Sequence, residues 1–151
     1  MSACAHGEGP DDPGAESIEA LVADFLARRL PRHRWTHRAH LAVGLWMVRR
    51  HGEAGALERL RQQIRAHNGA VGIANDAGGG YHETLTRLWI HAIAVHHAAH
   101  PRASLADSFT LLLHSPLASP HWPQRHYSPE RLFSDEARAA WLEPDRAPLV
   151  W

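Results

Sequence analysis

The helical spacing of apolar residues, interrupted at proline and glycine, constrains the fold of this chain more than any other feature. The first apolar stripe stops at Pro31, and the second begins after Thr36, a predicted N-cap, and meets Gly52. Five helices are predicted in this way, at residues 16–30, 37–51, 54–67, 81–100 and 105–114. No segment shows the strict alternation that is typical of a strand. The pattern therefore predicts an all-α fold, a bundle of four to six helices.

The region after the fifth helix is predicted to be a proline-rich C-terminal extension. Pro116, Pro120 and Pro123 favour extended backbone. Ser128 and Ser134 are predicted N-caps of two short helices, the first of which has proline at its first helical position.

The length of 151 residues suits one domain, and the composition divides the chain only near its start. Residues 1–15, rich in glycine, proline and aspartate, are predicted to form a disordered tail, and residues 16–151 a single helical domain. Cys4, the single cysteine, falls in that tail. Neither a disulfide framework nor a cysteine-based zinc cluster is therefore available.

Charge and hydropathy restrict the classes of partner. The 16 basic residues balance the 16 acidic ones, so no basic field favours nucleic acid. All basic residues are arginine, which excludes Schiff-base chemistry on lysine. No window approaches the roughly 18 apolar residues of a membrane helix, and no secretory signal is visible. We expect a cytoplasmic protein, compatible with a homo-oligomer, that acts on a small molecule and not on nucleic acid or a membrane.

Two histidine signatures carry the candidate chemistry, WTHRAHL at residues 35–41 and YHET at residues 81–84. His37 and His40 are three residues apart, so they share one face of their helix. His82 aligns with the apolar stripe of the later helix. If successive helices pack as antiparallel neighbours, both signatures lie at one end of the bundle. Three neutral imidazoles at that end predict a mononuclear site for a divalent transition metal: Fe, Cu or Zn.

Two more residues have predicted roles in catalysis. Glu83 would act as an acid or base on metal-bound water, or as a fourth ligand. Arg38 would hold a carboxylate of the substrate. An oxidoreductase at non-haem iron or copper is slightly preferred over a zinc hydrolase. Other residues are predicted to lie near this site, and the sequence does not assign them a role: His67, Asp76, His114 and the glycine-rich link at residues 68–80.

Two alternatives need no metal. In the first, His40 and Glu83 form an acid–base pair in an isomerase, a lyase or a hydratase. In the second, the chain is a non-enzymatic helical binding module. Its inward histidines then serve as hydrogen-bond formers in the core, and the helix dipole alone favours Glu83 at a helix start.

Three stretches resemble a group of small bacterial histidine-rich helical proteins with no firm function: WTHRAHLAVGLW, GYHETLTRLW and HYSPERLFSDEARAAWLEPD. This resemblance covers about residues 35–146. The architecture is also similar to that of the DinB-like four-helix proteins, which bind a divalent metal through three histidines. That family pairs one histidine with a later HxxxH, whereas HxxH comes first here. The likeness therefore implies a fold and a type of chemistry, and it assigns no residue.

Overall fold

The structure is a computed structural model that describes residues 15–76 and 79–149. Within these ranges the chain forms six α-helices and no strand, which confirms the predicted all-α fold. The helices are α1 (Ala15–Leu26), α2 (His37–Ala70), α3 (Glu83–Ala99), α4 (Leu105–Leu113), α5 (Pro129–Leu132) and α6 (Asp135–Ala139). The predicted disordered tail lies outside the described residues, except that Ala15 opens α1. None of the described helices is long and apolar enough to cross a membrane.

Helix α2 contains two of the predicted helices, joined at Gly52. The backbone there has φ 71° and ψ 177°, so the helical path breaks at the glycine that the sequence marks as a stop. The predicted N-cap is also confirmed, since the Thr36 hydroxyl accepts a hydrogen bond from the backbone N–H of Ala39. The second half of α2 continues to Ala70, beyond the predicted end at His67.

The first helix is shorter than predicted. It ends at Leu26, and Arg28 adopts a left-handed conformation with φ 60°. The N–H of Arg29 bonds to the carbonyl of Asp24 and the N–H of Arg28 to that of Phe25, which closes the helix as a Schellman motif. The chain therefore turns before Pro31, and this turn buries the side chain of Leu30 in the core.

The main core lies where α1, α3 and α4 pack against α2. Its fully buried apolar side chains include Phe25, Leu41, Leu45, Met47, Leu60, Ile64, Ile90 and Ile93. A smaller cluster of Leu88, Tyr127 and Leu132 lies between α3 and the C-terminal region. The C-terminal region is thus packed onto α3, and the predicted extension is part of the folded domain.

Asn75 organises the link between α2 and α3. Its side-chain oxygen accepts hydrogen bonds from Asn68 Nδ2 and from the backbone N–H of Tyr81, each at 3.1 Å. Its Nδ2 group donates to the carbonyl of Arg65 at 3.0 Å. These three bonds tie the described part of the link to the end of α2, and they position the YHET signature at the start of α3.

The close approach of the backbone at Gly80 predicts that no side chain is tolerated there. Gly72 and Gly80 share a left-handed φ of 78°, but a Cβ at Gly80 would lie 2.3 Å from the carbonyl oxygen of Ala74, whereas a Cβ at Gly72 would meet nothing. We expect Gly72→Ala to cost about 1 kcal/mol of unfolding free energy, from the left-handed backbone alone. Gly80→Ala should cost at least about twice as much, because it adds the collision with the backbone. Urea unfolding of both variants measures the difference, and equal losses would contradict the close approach.

Candidate functional site

His82 lies at the N-cap of α3, where the sequence predicted the first residues of that helix. Its Nδ1 accepts a hydrogen bond from the backbone N–H of Leu85 at 3.2 Å, and its Nε2 donates to the carbonyl of Leu132 at 2.7 Å. Those partners require a neutral ring with its proton on Nε2. Burial is the main cause that lowers the pKa of His82 to about 4, and the charge of Arg138 lowers it further. One ring nitrogen therefore caps α3, and the other joins α3 to α5.

His40 is also a buried, neutral ring. It is stacked on Trp35 with ring centroids 3.7 Å apart, and its Nδ1 donates to the carbonyl of Thr36 at 2.6 Å. Burial lowers the pKa of His40 well below its ordinary value, and the nearby His37 and His67 lower it further. The His40 ring therefore helps to pack the start of α2.

The other rings of this region are bound to backbone carbonyls as well. His37 Nε2 donates to the carbonyl of Leu117 at 2.9 Å, and the buried His67 donates through Nε2 to the carbonyl of Leu30 at 2.8 Å. The guanidinium of Arg38 contacts an aromatic ring, since its central carbon lies 5.6 Å from the centroid of the Phe109 ring. Hydrogen bonding of inward histidines to the backbone is what the binding-module alternative expects.

The geometry gives the predicted metal centre no support. Among the residues that the structure describes, no three histidine, cysteine, aspartate or glutamate side chains form a group able to hold a metal ion. His37, His40 and His82 instead donate to three separate carbonyls, those of Leu117, Thr36 and Leu132. Metal binding by these histidines remains a prediction, which metal analysis of the purified protein will test.

Glu83 is a buried carboxylate in an ion pair, with 9% of its surface exposed. The Nε of Arg61 donates to both carboxylate oxygens, at 2.8 and 3.2 Å, a second guanidinium nitrogen donates to Oε1, and the Tyr81 hydroxyl donates to Oε2. Burial raises the pKa of Glu83, but the bonds from Arg61 and Tyr81 outweigh it and bring the pKa below its ordinary value. The carboxylate thus stays ionised, and the contacts that hold it come from Arg61 and Tyr81, not from His40.

A pocket of about 830 Å³ lies between the second half of α2, α3 and the C-terminal residues 141–149. Its polar lining comes from Glu53, Arg87, His91, Glu143, Asp145 and Arg146. Its apolar lining includes Leu57, Ile90, Trp141, Pro144, Pro148 and Leu149. None of these residues was predicted to belong to a site.

Hydrogen bonds from α3 and from the two residues before α5 hold the C-terminal wall of the pocket in place. The Thr84 hydroxyl donates to the carbonyl of Ala140 and accepts from the N–H of Leu142, and Tyr127 donates to the carbonyl of Leu142. The carboxylate of Asp145 accepts from the N–H and the hydroxyl of Ser128, which lowers the pKa of Asp145. The wall is therefore a fixed part of the domain.

The antiparallel register of α2 and α3 decides which side chains meet in the pocket. Glu53 contacts His91, and Arg61 contacts Glu83, so a step of two turns along α2 matches a step of two turns back along α3. Leu57 therefore lies opposite Arg87, and both line the pocket. A leucine side chain has no charge and no hydrogen-bond acceptor, so Leu57 does not bind the guanidinium of Arg87.

His91 and Arg87, which both line the pocket, contact different kinds of side chain. His91 Nδ1 lies 2.5 Å from Glu53 Oε1. The guanidinium carbon of Arg87 lies 4.9 Å from the centroid of the Trp141 ring, a cation–π contact. In the described part of the chain, no carboxylate lies within ion-pair distance of Arg87. Glu143, by contrast, accepts a hydrogen bond from Trp141 Nε1.

No protein-family model, curated protein or solved structure matches this chain. The resemblance to small bacterial proteins and to the DinB-like fold thus remains a prediction from the signatures. The side chains of the site are therefore the basis for the function proposed below.

Proposed function

We propose that this chain binds a small molecule in the pocket between α2, α3 and residues 141–149, and transfers a proton on it without a metal ion. The observation that carries the proposal is the contact of His91 with Glu53 on the wall of a pocket of about 830 Å³. Ligand sites in proteins commonly have volumes of about 300–1,000 Å³. The proposal belongs to the metal-free acid–base class that the sequence left open, but it replaces His40 and Glu83 by residues of the pocket.

The chemistry follows from the two partners. The Glu53 side chain is 46% exposed, whereas Nε2 of His91 is buried, so the carboxylate is the group that a bound molecule reaches. Glu53 takes a proton from the bound molecule, and the N–H of His91 Nδ1 holds the carboxylate in position. The same carboxyl group then returns the proton to another atom of the molecule. Such a transfer is the elementary step of an isomerase, a lyase or a hydratase.

Deuterium exchange tests the Glu53–His91 pair directly. We expect compounds that bind in the pocket to exchange a C–H proton with D₂O, followed by proton NMR in the presence of a chelator. Glu53→Gln should slow this exchange at least about 100-fold while leaving the compound bound, since a positioned general base contributes about 10²–10⁴ in rate. His91→Gln should slow it less, because the carboxylate remains but loses the ring that positions it.

His33→Gln is the matched control, because His33 is exposed on the short helical turn at Arg32–Arg34, outside the pocket lining. Exchange at the wild-type rate in Glu53→Gln would overturn the proposal. Exchange that the chelator abolishes and a transition metal restores would instead favour the metal-dependent enzyme predicted from the histidine signatures.

A further inference from the structure

The charges of the pocket point to the chemical class of its ligand. We propose that the pocket takes a small organic monocarboxylate with an apolar body, whose carboxylate pairs with Arg87. This inference rests on the proposed function, since it concerns the same pocket. It adds the substrate class and the atom at which the proton is transferred.

Arg87 has the free donors that a carboxylate requires. Its guanidinium is held over the Trp141 ring, and the described residues supply it with neither an ion-pair partner nor a hydrogen-bond acceptor. The acidic residue one turn before it, Glu83, is bound by Arg61 and Tyr81. A planar guanidinium resting on an indole face can donate two parallel N–H bonds to a carboxylate.

The balance of charge favours one negative charge over two. Three acidic side chains, of Glu53, Glu143 and Asp145, line the pocket together with two basic ones, of Arg87 and Arg146. Arg146 already donates to the carbonyl of Gln124. A dianionic phosphate would meet an excess of acidic groups, whereas a monocarboxylate is matched by Arg87 alone.

The apolar lining and the spacing along α3 define the rest of the molecule. Leu57, Ile90 and Leu149 offer a surface for an apolar body next to Trp141. Arg87 and His91 are four residues apart on α3, so their Cβ atoms lie about 5–6 Å apart on one face. The Glu53 carboxylate contacts His91, so we place the proton transfer at a carbon of the apolar body close to the bound carboxylate.

Calorimetric titration of the full chain tests this class with defined probes. Hexanoate and 3-phenylpropionate are compared with hexanamide, which lacks the charge, and with phenyl phosphate, which carries two charges. We expect the carboxylates to bind at least about tenfold more tightly than the amide and the phosphate. Arg87→Met should weaken carboxylate binding about 10- to 100-fold, and Arg87→Lys should fall between, because lysine keeps the charge without the fork of donors.

Arg102→Met is the matched control, since Arg102 is an exposed arginine beyond the end of α3, and it should bind the carboxylates like the wild type. Circular dichroism confirms that each variant is folded. The inference is overturned if no carboxylate binds at about 10 mM, if Arg87→Met binds like the wild type, or if the amide or the phosphate binds as tightly.

The proposed function and this inference fail in different ways. Binding of carboxylates that depends on Arg87, without any proton exchange that depends on Glu53, would retain the ligand class and reject the acid–base function. Exchange that depends on Glu53 and occurs on neutral compounds, equally in Arg87→Met, would retain the function and reject the ligand class.

Discussion

Replacing His82 by alanine is expected to lower the free energy of unfolding by about 4 kcal/mol. The substitution removes the N-cap of α3, worth about 1 kcal/mol, and leaves the buried carbonyl of Leu132 without its donor, which costs about 1–3 kcal/mol. The volume of a buried ring is also lost. Urea unfolding followed by circular dichroism measures the change.

His82→Asn separates the two contributions. Asparagine is a good N-cap and keeps the bond to Leu85, but it is too short to reach Leu132, so we expect a loss of about 2 kcal/mol. A loss below about 1 kcal/mol in the alanine variant would show that neither contact stabilises the fold.

The pH dependence of stability gives an independent measure of the same residue. The pKa of His82 is about 4 in the folded protein, against 6.5 for an ordinary histidine. Protonation thus favours the unfolded chain, so the contribution of His82 is complete above pH 6.5 and declines as the pH falls towards 4. Between pH 7 and pH 5 the wild type should lose about 2 kcal/mol through this group. His82→Asn, which cannot titrate, should show a correspondingly weaker dependence, and an unchanged dependence would refute the assignment.

Replacing Arg61 by methionine is expected to lower the free energy of unfolding by about 3 kcal/mol. Glu83 is 9% exposed and, among the residues that the structure describes, would keep only the Tyr81 hydroxyl as a hydrogen-bond donor. Removing one partner of a buried ion pair costs about 3–5 kcal/mol. The lower end applies because the Arg61 side chain is 39% exposed, and solvent screens part of the interaction.

A double-mutant cycle isolates the Arg61–Glu83 pair from other effects of the substitutions. Glu83→Gln should cost less than Arg61→Met, because the released arginine reaches solvent while a stranded carboxylate does not. The double variant should be more stable than the sum of the single losses implies, by about 2 kcal/mol. Additive losses would mean that the two charges do not stabilise one another.

Both of these predictions concern residues of the YHET signature, His82 and Glu83. They show how much of the structure a local sequence pattern can predict. The pattern located the start of α3 within two residues, because capping and helix initiation depend on neighbours three or four positions away. It did not show that His82 binds the carbonyl of Leu132, which is 50 residues further along the chain. An imidazole at such a position binds a metal in one tertiary structure and joins two helices in another.

The end of α1 shows the same limit within a helix. Helical spacing continued to Leu30, and Pro31 supplied a stop, so a helix to residue 30 was predicted. Burial of Leu30 in the core instead required the chain to turn after Leu26, with Arg28 in a left-handed conformation. Packing gains outweigh a local cost of about 1–2 kcal/mol for such a residue.

The sequence by itself determined the all-α class, the break at Gly52 and the N-caps at Thr36, Ser128 and Ser134. These features arise from backbone geometry and from hydrogen bonds between near neighbours, so a single chain segment carries the signal. Only the tertiary structure decided that residues 141–149 pack over α3 and that Glu53, Arg87 and His91 share a pocket. These contacts join residues far apart in the chain, and they depend on the register of α2 against α3, which no local pattern encodes.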